Sequence, residues 1–108
     1  NKKIVSVFEP HRYSRVLSLK NEFAKSFKNS DTVLLCPLYE AGERKNKRYN
    51  QYDFAKSISK LSKTQVVIIK NQNDLNQFIK KNLFYNEIII GMGAGSISKW
   101  MKELKTTI

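Results

Sequence analysis

Residues 4–15 carry the sequence IVSVFEPHRYSR, and this stretch decides the fold. It begins with a short apolar run, Ile4–Phe8, which predicts a strand because most of its residues are β-branched. Pro10 ends that strand and suits the first turn of a helix. Apolar residues then recur at helical spacing. The stretch therefore predicts a strand, a tight loop and a helix, which is the opening unit of an α/β fold.

The same unit recurs along the chain. The apolar runs are Ile4–Phe8, Val33–Cys36, Val66–Ile69 and Ile88–Ile90. Four further sets of apolar residues recur at helical spacing, and each would form an apolar stripe that faces the sheet. They are Val16, Leu19, Phe23 and Phe27; Phe54, Ile58 and Leu61; Leu75, Phe78, Ile79 and Leu83; and Ile97, Trp100, Met101 and Leu104. Asn73 or Asp74 is the candidate N-cap of the third helix, and Ser96 that of the fourth. No run alternates polar and apolar residues, which is typical of parallel strands covered on both faces. Residues 1–108 thus predict one α/β domain, an open, mostly parallel sheet with helices on both faces and four strand–helix units.

Composition narrows the class of protein. The formal net charge is +11, but 16 of the 20 basic residues are lysines scattered among ten asparagines, which favours a solvated surface. A small basic module that binds nucleic acid stays open as the alternative. A single cysteine, Cys36, excludes an intrachain disulfide and suits a reducing compartment. No run is long enough to span a membrane, no signal peptide is visible, and a first residue other than Met suggests a fragment.

Ligands of open α/β sheets bind beyond the carboxyl ends of the strands, where loops 9–15, 37–50 and 91–96 are expected. If a helix starts near His11, Arg12 and Arg15 lie one turn apart at its start, where the helix dipole disfavours cations. This placement suggests that both arginines bind an external anion, because a guanidinium binds a carboxylate or phosphate bidentately. Pairing with a nearby Asp or Glu, or simple solvation, is an equal alternative.

The remaining candidate residues are less specific. His11 is the single histidine and has no cysteine or second histidine nearby, so we predict no metal site and no catalytic residue, and favour a structural role for it. The turn GMGAGS at residues 91–96 matches neither a dinucleotide fingerprint nor a P-loop, so a tight turn explains it as well as a ligand does. Glu43 could bind an ammonium group or organise the arginines, although an ordinary polar turn is slightly favoured. The basic run Arg44–Arg48 is equally part of a functional loop or a disordered surface tip.

Three motifs resemble a known family. They are VFEPHRYSR at residues 7–15, YEAGE at residues 39–43 and GAGSISK at residues 93–99. In this order and at about this spacing, they resemble the C-terminal domain of the Mur ligase family of peptidoglycan synthesis, and in particular its members that add L-alanine to UDP-N-acetylmuramate. The resemblance covers nearly the whole chain.

The resemblance implies a cytoplasmic three-domain enzyme whose first domain binds the UDP-sugar and whose central domain binds ATP and Mg²⁺. The third, Rossmann-like domain closes over the site and helps bind L-alanine, which attacks an acyl phosphate made with ATP. By motif position, Arg12 and Arg15 would hold the alanine carboxylate and His11 would support their loop. Glu43, Gly93, Gly95 and Ser96 would make secondary contacts. The fragment alone would bind no cofactor or membrane and would be inactive.

The sequence also departs from the family pattern. Glu9 stands where the family usually has glutamine, and the basic run Arg44–Arg48 replaces a less charged, proline-containing segment. The opening strand of the domain and its loop with aspartate and histidine would lie just before Asn1.

A phosphate-binding regulatory module that uses the turn at Ser96 is a third hypothesis.

Overall fold

The computed structural model describes residues 3–82 and 87–93. Its strands are β1 (Lys3–Phe8), β2 (Thr32–Leu35), β3 (Gln65–Ile68) and β4 (Glu87–Met92). They form one sheet in the order β3-β2-β1-β4, and all three neighbouring pairs are parallel. The chain therefore moves outward from β1 to β3 and then crosses back to place β4 on the other side of β1. The predicted α/β sheet is confirmed.

Helices cover both faces of this sheet, as predicted. They are α1 (Tyr13–Ser18), α2 (Lys20–Lys25), α3 (Gln51–Ser62) and α4 (Gln72–Asn82). The core that includes α1, α2 and α3 contains Phe8, Val16, Ala24, Phe27, Val33, Leu35, Phe54, Ala55 and Ile58. The core on the α4 side contains Val5, Val7, Leu34, Cys36, Ile69, Leu75 and Ile79. The fourth predicted stripe, its cap Ser96 and Leu83 lie outside the described residues.

The first predicted stripe is interrupted. The backbone leaves helical geometry at Leu19, with φ −116° and ψ 24°, so two short helices replace one long one. The Arg15 carbonyl accepts both the Leu19 N–H at 3.0 Å and the Ser18 hydroxyl at 3.2 Å, so α1 ends in a shared hydrogen bond. Leu19 is consequently 39% exposed, whereas Val16 and Phe27 are buried. The prediction of Leu19 as a core position was wrong.

Side-chain caps begin the two longer helices. Asn50 Oδ1 accepts the Asp53 N–H of α3 at 3.0 Å. At α4, Asn71 Oδ1 accepts the Asp74 N–H at 2.8 Å, and the Asp74 carboxylate accepts the Lys70 N–H at 2.9 Å. Such reciprocal bonds satisfy amide donors that have no partner within the helix. Asn71 is therefore the cap of α4, and the predicted choice of Asn73 or Asp74 was wrong.

Cys36 lies at the end of β2 and is fully buried, as the sequence predicts. Burial, and secondarily the negative charge of Glu9, raises the pKa of the Cys36 thiol to about 12. The thiol is therefore protonated at neutral pH and behaves as a small core side chain. Within residues 3–82 and 87–93, no helix has the length and apolar character that a membrane crossing requires.

Candidate ligand-binding site

The sheet reverses its strand order between β1 and β4, and a cleft opens at that point. The residues that line it are Phe8, Glu9, His11, Arg15, Phe23 and Gly93, and its volume is about 240 Å³. A single water needs only about 10–15 Å³, so a small organic molecule fits. Open α/β sheets place their ligands in this position, because the loops that follow the neighbouring strands diverge there. The loops after β1 and β4 therefore meet at the predicted edge of the sheet, and ligand binding there stays a prediction.

The cleft combines an apolar wall with one arginine, Arg15, and one buried carboxyl group, Glu9. The rings of Phe8 and Phe23 lie 5.7 Å apart, measured between centroids, and form the apolar part. Arg15 contributes an exposed guanidinium, and His11 is half-buried beside it. This arrangement suits a ligand with a carboxylate or phosphate at one end and a small apolar group at the other. The sequence assigns Phe8 only to a strand and Phe23 only to a helical stripe, and does not indicate that both line a cleft.

Backbone pairing between two loops holds the His-Arg segment in place. The Arg12 N–H donates to the Tyr39 carbonyl at 2.8 Å, and the Tyr39 N–H donates to the Pro10 carbonyl at 2.8 Å. The rings of His11 and Tyr39 also stack, with centroids 5.2 Å apart and an interplanar angle of 30°. The loop after β1 and the loop after β2 therefore form one structural unit at the cleft.

Arg12 has an unusual backbone conformation. Its φ of 69° and ψ of 132° lie in a region that L-residues rarely adopt, and helix α1 begins only at the next residue, Tyr13. Such strain costs about 1–3 kcal/mol and concentrates at functional sites. The expectation that Arg12 and Arg15 lie one turn apart on a helix was wrong, because Arg12 precedes the helix. Its side chain is exposed and does not line the cleft, unlike Arg15.

The dipole of helix α1 has little effect on the two arginines. Helix α1 has only six residues, and Arg15 lies as near to its end as to its beginning. A macrodipole summed over so few peptide units is small. We therefore expect an anion to bind because of the positive charge of Arg15 and its position at the cleft.

Glu43 caps α1 from another loop. Its carboxylate accepts the Ser14 N–H at 3.1 Å and also the Ser14 hydroxyl. These two hydrogen bonds, aided by the positive charge of Arg12, hold the pKa of Glu43 below its usual value. Helix α1 needs this contact because its own N-cap residue, Arg12, makes no side-chain cap. A turn with positive φ at Ala41 and Gly42 precedes Glu43.

We expect Glu43 to make the stability of this domain depend on pH. Because the pKa of Glu43 is lowered by folding, its stabilising contribution is present above about pH 4.5 and is lost as the pH falls towards the lowered value. As the pH falls through this window, the stability of wild type measured by thermal unfolding should therefore decrease more steeply than that of Glu43→Gln, which has no proton to gain. Parallel pH profiles for the two proteins would contradict this role.

Gly93 allows a close approach between the ends of β1 and β4. The Glu9 N–H donates to the Met92 carbonyl at 2.9 Å, and a Cβ on Gly93 would lie 2.6 Å from the Glu9 carbonyl oxygen. Gly93 also has φ +134°, which favours glycine. Glu9 is only 2% exposed, a burial that the sequence did not indicate. The other predicted residues of this turn, Gly95 and Ser96, lie outside the described residues.

No group of three or more His, Cys, Asp or Glu side chains within residues 3–82 and 87–93 has an arrangement that could hold a metal ion. We therefore assign no metal ligands to the described residues.

Comparison with known proteins agrees with the three motifs. Proteins named UDP-N-acetylmuramate–L-alanine ligase match this chain in Pelagibacter ubique (44% identity over the whole chain), Hydrogenobaculum sp. (37% over 99% of it) and Prochlorococcus marinus (36% over 90% of it). No family model matches the chain. The chain is homologous to one part of a UDP-N-acetylmuramate–L-alanine ligase. It spans only 20–23% of the length of these three ligases, so it corresponds to one part of such a ligase.

Proposed function

We propose that this chain is the C-terminal domain of an ATP-dependent ligase that joins L-alanine to UDP-N-acetylmuramate. In this proposal the domain binds the incoming alanine and closes over the reacting groups, which the preceding two domains hold. The observation that supports it most directly is the cleft at the β1–β4 reversal, where the HRYSR segment of the family motif places Arg15 and His11.

The geometry suggests how alanine is oriented. Its carboxylate pairs with the Arg15 guanidinium, supported by the positive potential of Arg12, while its methyl group packs against Phe8 and Phe23. The amino group then faces the mouth of the cleft, towards the activated muramoyl carboxylate. Holding the nucleophile in this orientation lowers the entropic part of the barrier. His11 is a positioning residue, because it stacks on Tyr39.

The lysine distribution argues against the nucleic-acid alternative. Exposed lysines occur on both layers of helices, for example Lys25 and Lys60 on one face and Lys80 on the other. A polynucleotide surface needs its cations on one side. Cytoplasmic location and the ATP and Mg²⁺ sites on the other domains remain part of the proposal.

The proposal is tested with the full-length protein that contains this chain. We expect release of ADP and phosphate that requires ATP, UDP-N-acetylmuramate and L-alanine together, with product formation checked by mass spectrometry. Glycine and L-serine serve as competing amino acids, since they differ from L-alanine by a methyl or a hydroxyl group. Nucleotide release that does not depend on any of these amino acids would exclude the proposed function.

A further inference from the structure

All four arginines of the chain belong to two segments at one edge of the sheet. Arg12 and Arg15 follow β1, whereas Arg44 and Arg48 lie in the loop after β2. The other 16 basic residues are lysines, which occur from one end of the chain to the other. A chain that uses lysine for most exposed cations but arginine at these four positions places planar, bidentate donors in one region.

The structure brings the two segments together along α1. Glu43, next to Arg44, bonds to Ser14 of α1. At the other end of the run, the ring of Tyr49 packs edge-on against Tyr13, with centroids 5.9 Å apart. Both ends of loop 44–48 are thus anchored on the helix that carries Arg15.

Local hydrogen bonds order this loop. Asn46 Oδ1 accepts the Arg48 N–H at 2.9 Å, and the Asn46 carbonyl accepts the Tyr49 N–H at 3.1 Å. Arg48 also lines a small cleft together with Val16 and Leu17 of α1, and Lys20 and Asp53 are the other charged residues of that lining. The basic run is therefore an ordered turn against α1, and the interpretation as an exposed tip without local structure is not supported.

Both guanidinium groups are available to an external anion. Arg44 and Arg48 are exposed, and neither forms an ion pair with any residue in the described ranges 3–82 and 87–93. Glu43, the carboxylate nearest in sequence, is already bonded to Ser14. Positive charge thus accumulates at the edge of the sheet where ligands bind.

We propose that Arg44 and Arg48 form a second anion site, which holds phosphate groups of a substrate when the domain closes. This inference rests on the proposed function, in which the alanine carboxylate is bound at Arg15 and the other two substrates, ATP and the UDP-sugar, both carry phosphates. Guanidinium forks bind phosphate oxygens bidentately, which explains arginine at these positions. The site would be a feature of this chain, since the family resemblance predicts a less charged segment here.

The test uses the full-length ligase and compares three double variants. Arg44→Gln with Arg48→Gln removes the site, and Arg44→Lys with Arg48→Lys keeps the charge without the fork. Lys56→Gln with Lys60→Gln is the control, because it removes the same charge from the exposed side of α3. KM is measured separately for ATP, UDP-N-acetylmuramate and L-alanine, at low and at high salt.

We expect the arginine-to-glutamine variant to raise the KM of one phosphate-bearing substrate by about 5- to 20-fold at low salt, and less at high salt. The substrate whose KM rises identifies the source of the phosphate. The lysine variant should retain only part of the affinity, and the KM for L-alanine should stay within about twofold of wild type. Unchanged KM values for both phosphate substrates, equal rises for all three substrates, or the same rise in the Lys56/Lys60 control would overturn the proposal. Wild-type turnover in the same assay separates these outcomes from a failure of the proposed function.

Discussion

Under the proposed function, replacing Arg15 by alanine in the full-length protein is expected to raise the KM for L-alanine by roughly 10- to 150-fold, because a hydrogen bond to a charged group contributes about 1.5–3 kcal/mol. Arg15 lines the cleft, whereas Arg12 precedes the helix and lies outside the lining. Arg12→Ala should therefore give a smaller rise. Steady-state kinetics with L-alanine as the varied substrate measure both effects.

Two comparisons make this result specific. Arg15→Lys keeps the positive charge but loses the bidentate geometry, so its KM for L-alanine should lie between those of wild type and Arg15→Ala. Lys60→Ala removes an exposed cation from α3 and should leave all three KM values unchanged. If Arg15→Ala had wild-type kinetics, or raised the KM of every substrate equally, the assignment of the cleft to alanine would be wrong.

The fold was predictable because its determinants are local. Each apolar run that predicts a strand overlaps one, with Cys36 and Ile69 one residue beyond the ends of β2 and β3. The stripes Phe54–Leu61 and Leu75–Ile79 lie in α3 and α4. The helix after β1 was predicted less well, since apolar spacing continues through Leu19 while the backbone does not. Apolar periodicity records the spacing of side chains and does not record a change of backbone geometry at one residue.

The site was predictable only where it follows from sheet topology. The loop after β1 and the turn at Gly93 lie at the carboxyl edge because parallel strands end there. The contact of Glu43 with Ser14 spans 29 residues, and no local rule predicts it. The backbone of Arg12 depends equally on a distant partner, because the Tyr39 carbonyl holds its N–H. Long-range contacts of this kind place the polar turn at Glu43 against α1, the helix that carries Arg15.

Gly93→Ala is expected to lower the free energy of unfolding by about 2–5 kcal/mol, which combines backbone strain with a steric clash. The φ of +134° disfavours any L-residue, and the new Cβ would lie 2.6 Å from the Glu9 carbonyl oxygen. Since that oxygen belongs to the backbone, the ends of β1 and β4 must separate. Urea unfolding measures the global effect, and hydrogen exchange of the Glu9 amide, which donates to Met92, measures the local one.

Gly42→Ala is the matched control, because Gly42 also has positive φ, +87°, but no atom lies within 4 Å of the added Cβ. It introduces backbone strain without a clash, so it should destabilise the protein by about 1–2 kcal/mol and leave exchange at Glu9 unchanged. If both variants lowered the free energy of unfolding by the same amount, backbone strain alone would explain the loss, and the close contact between β1 and β4 would add nothing to it. If Gly93→Ala alone accelerates exchange at Glu9 and also weakens alanine binding, the narrow spacing of β1 and β4 is what positions the cleft. The glycine would then act on the ligand through the strand ends as well as through its own position in the cleft lining.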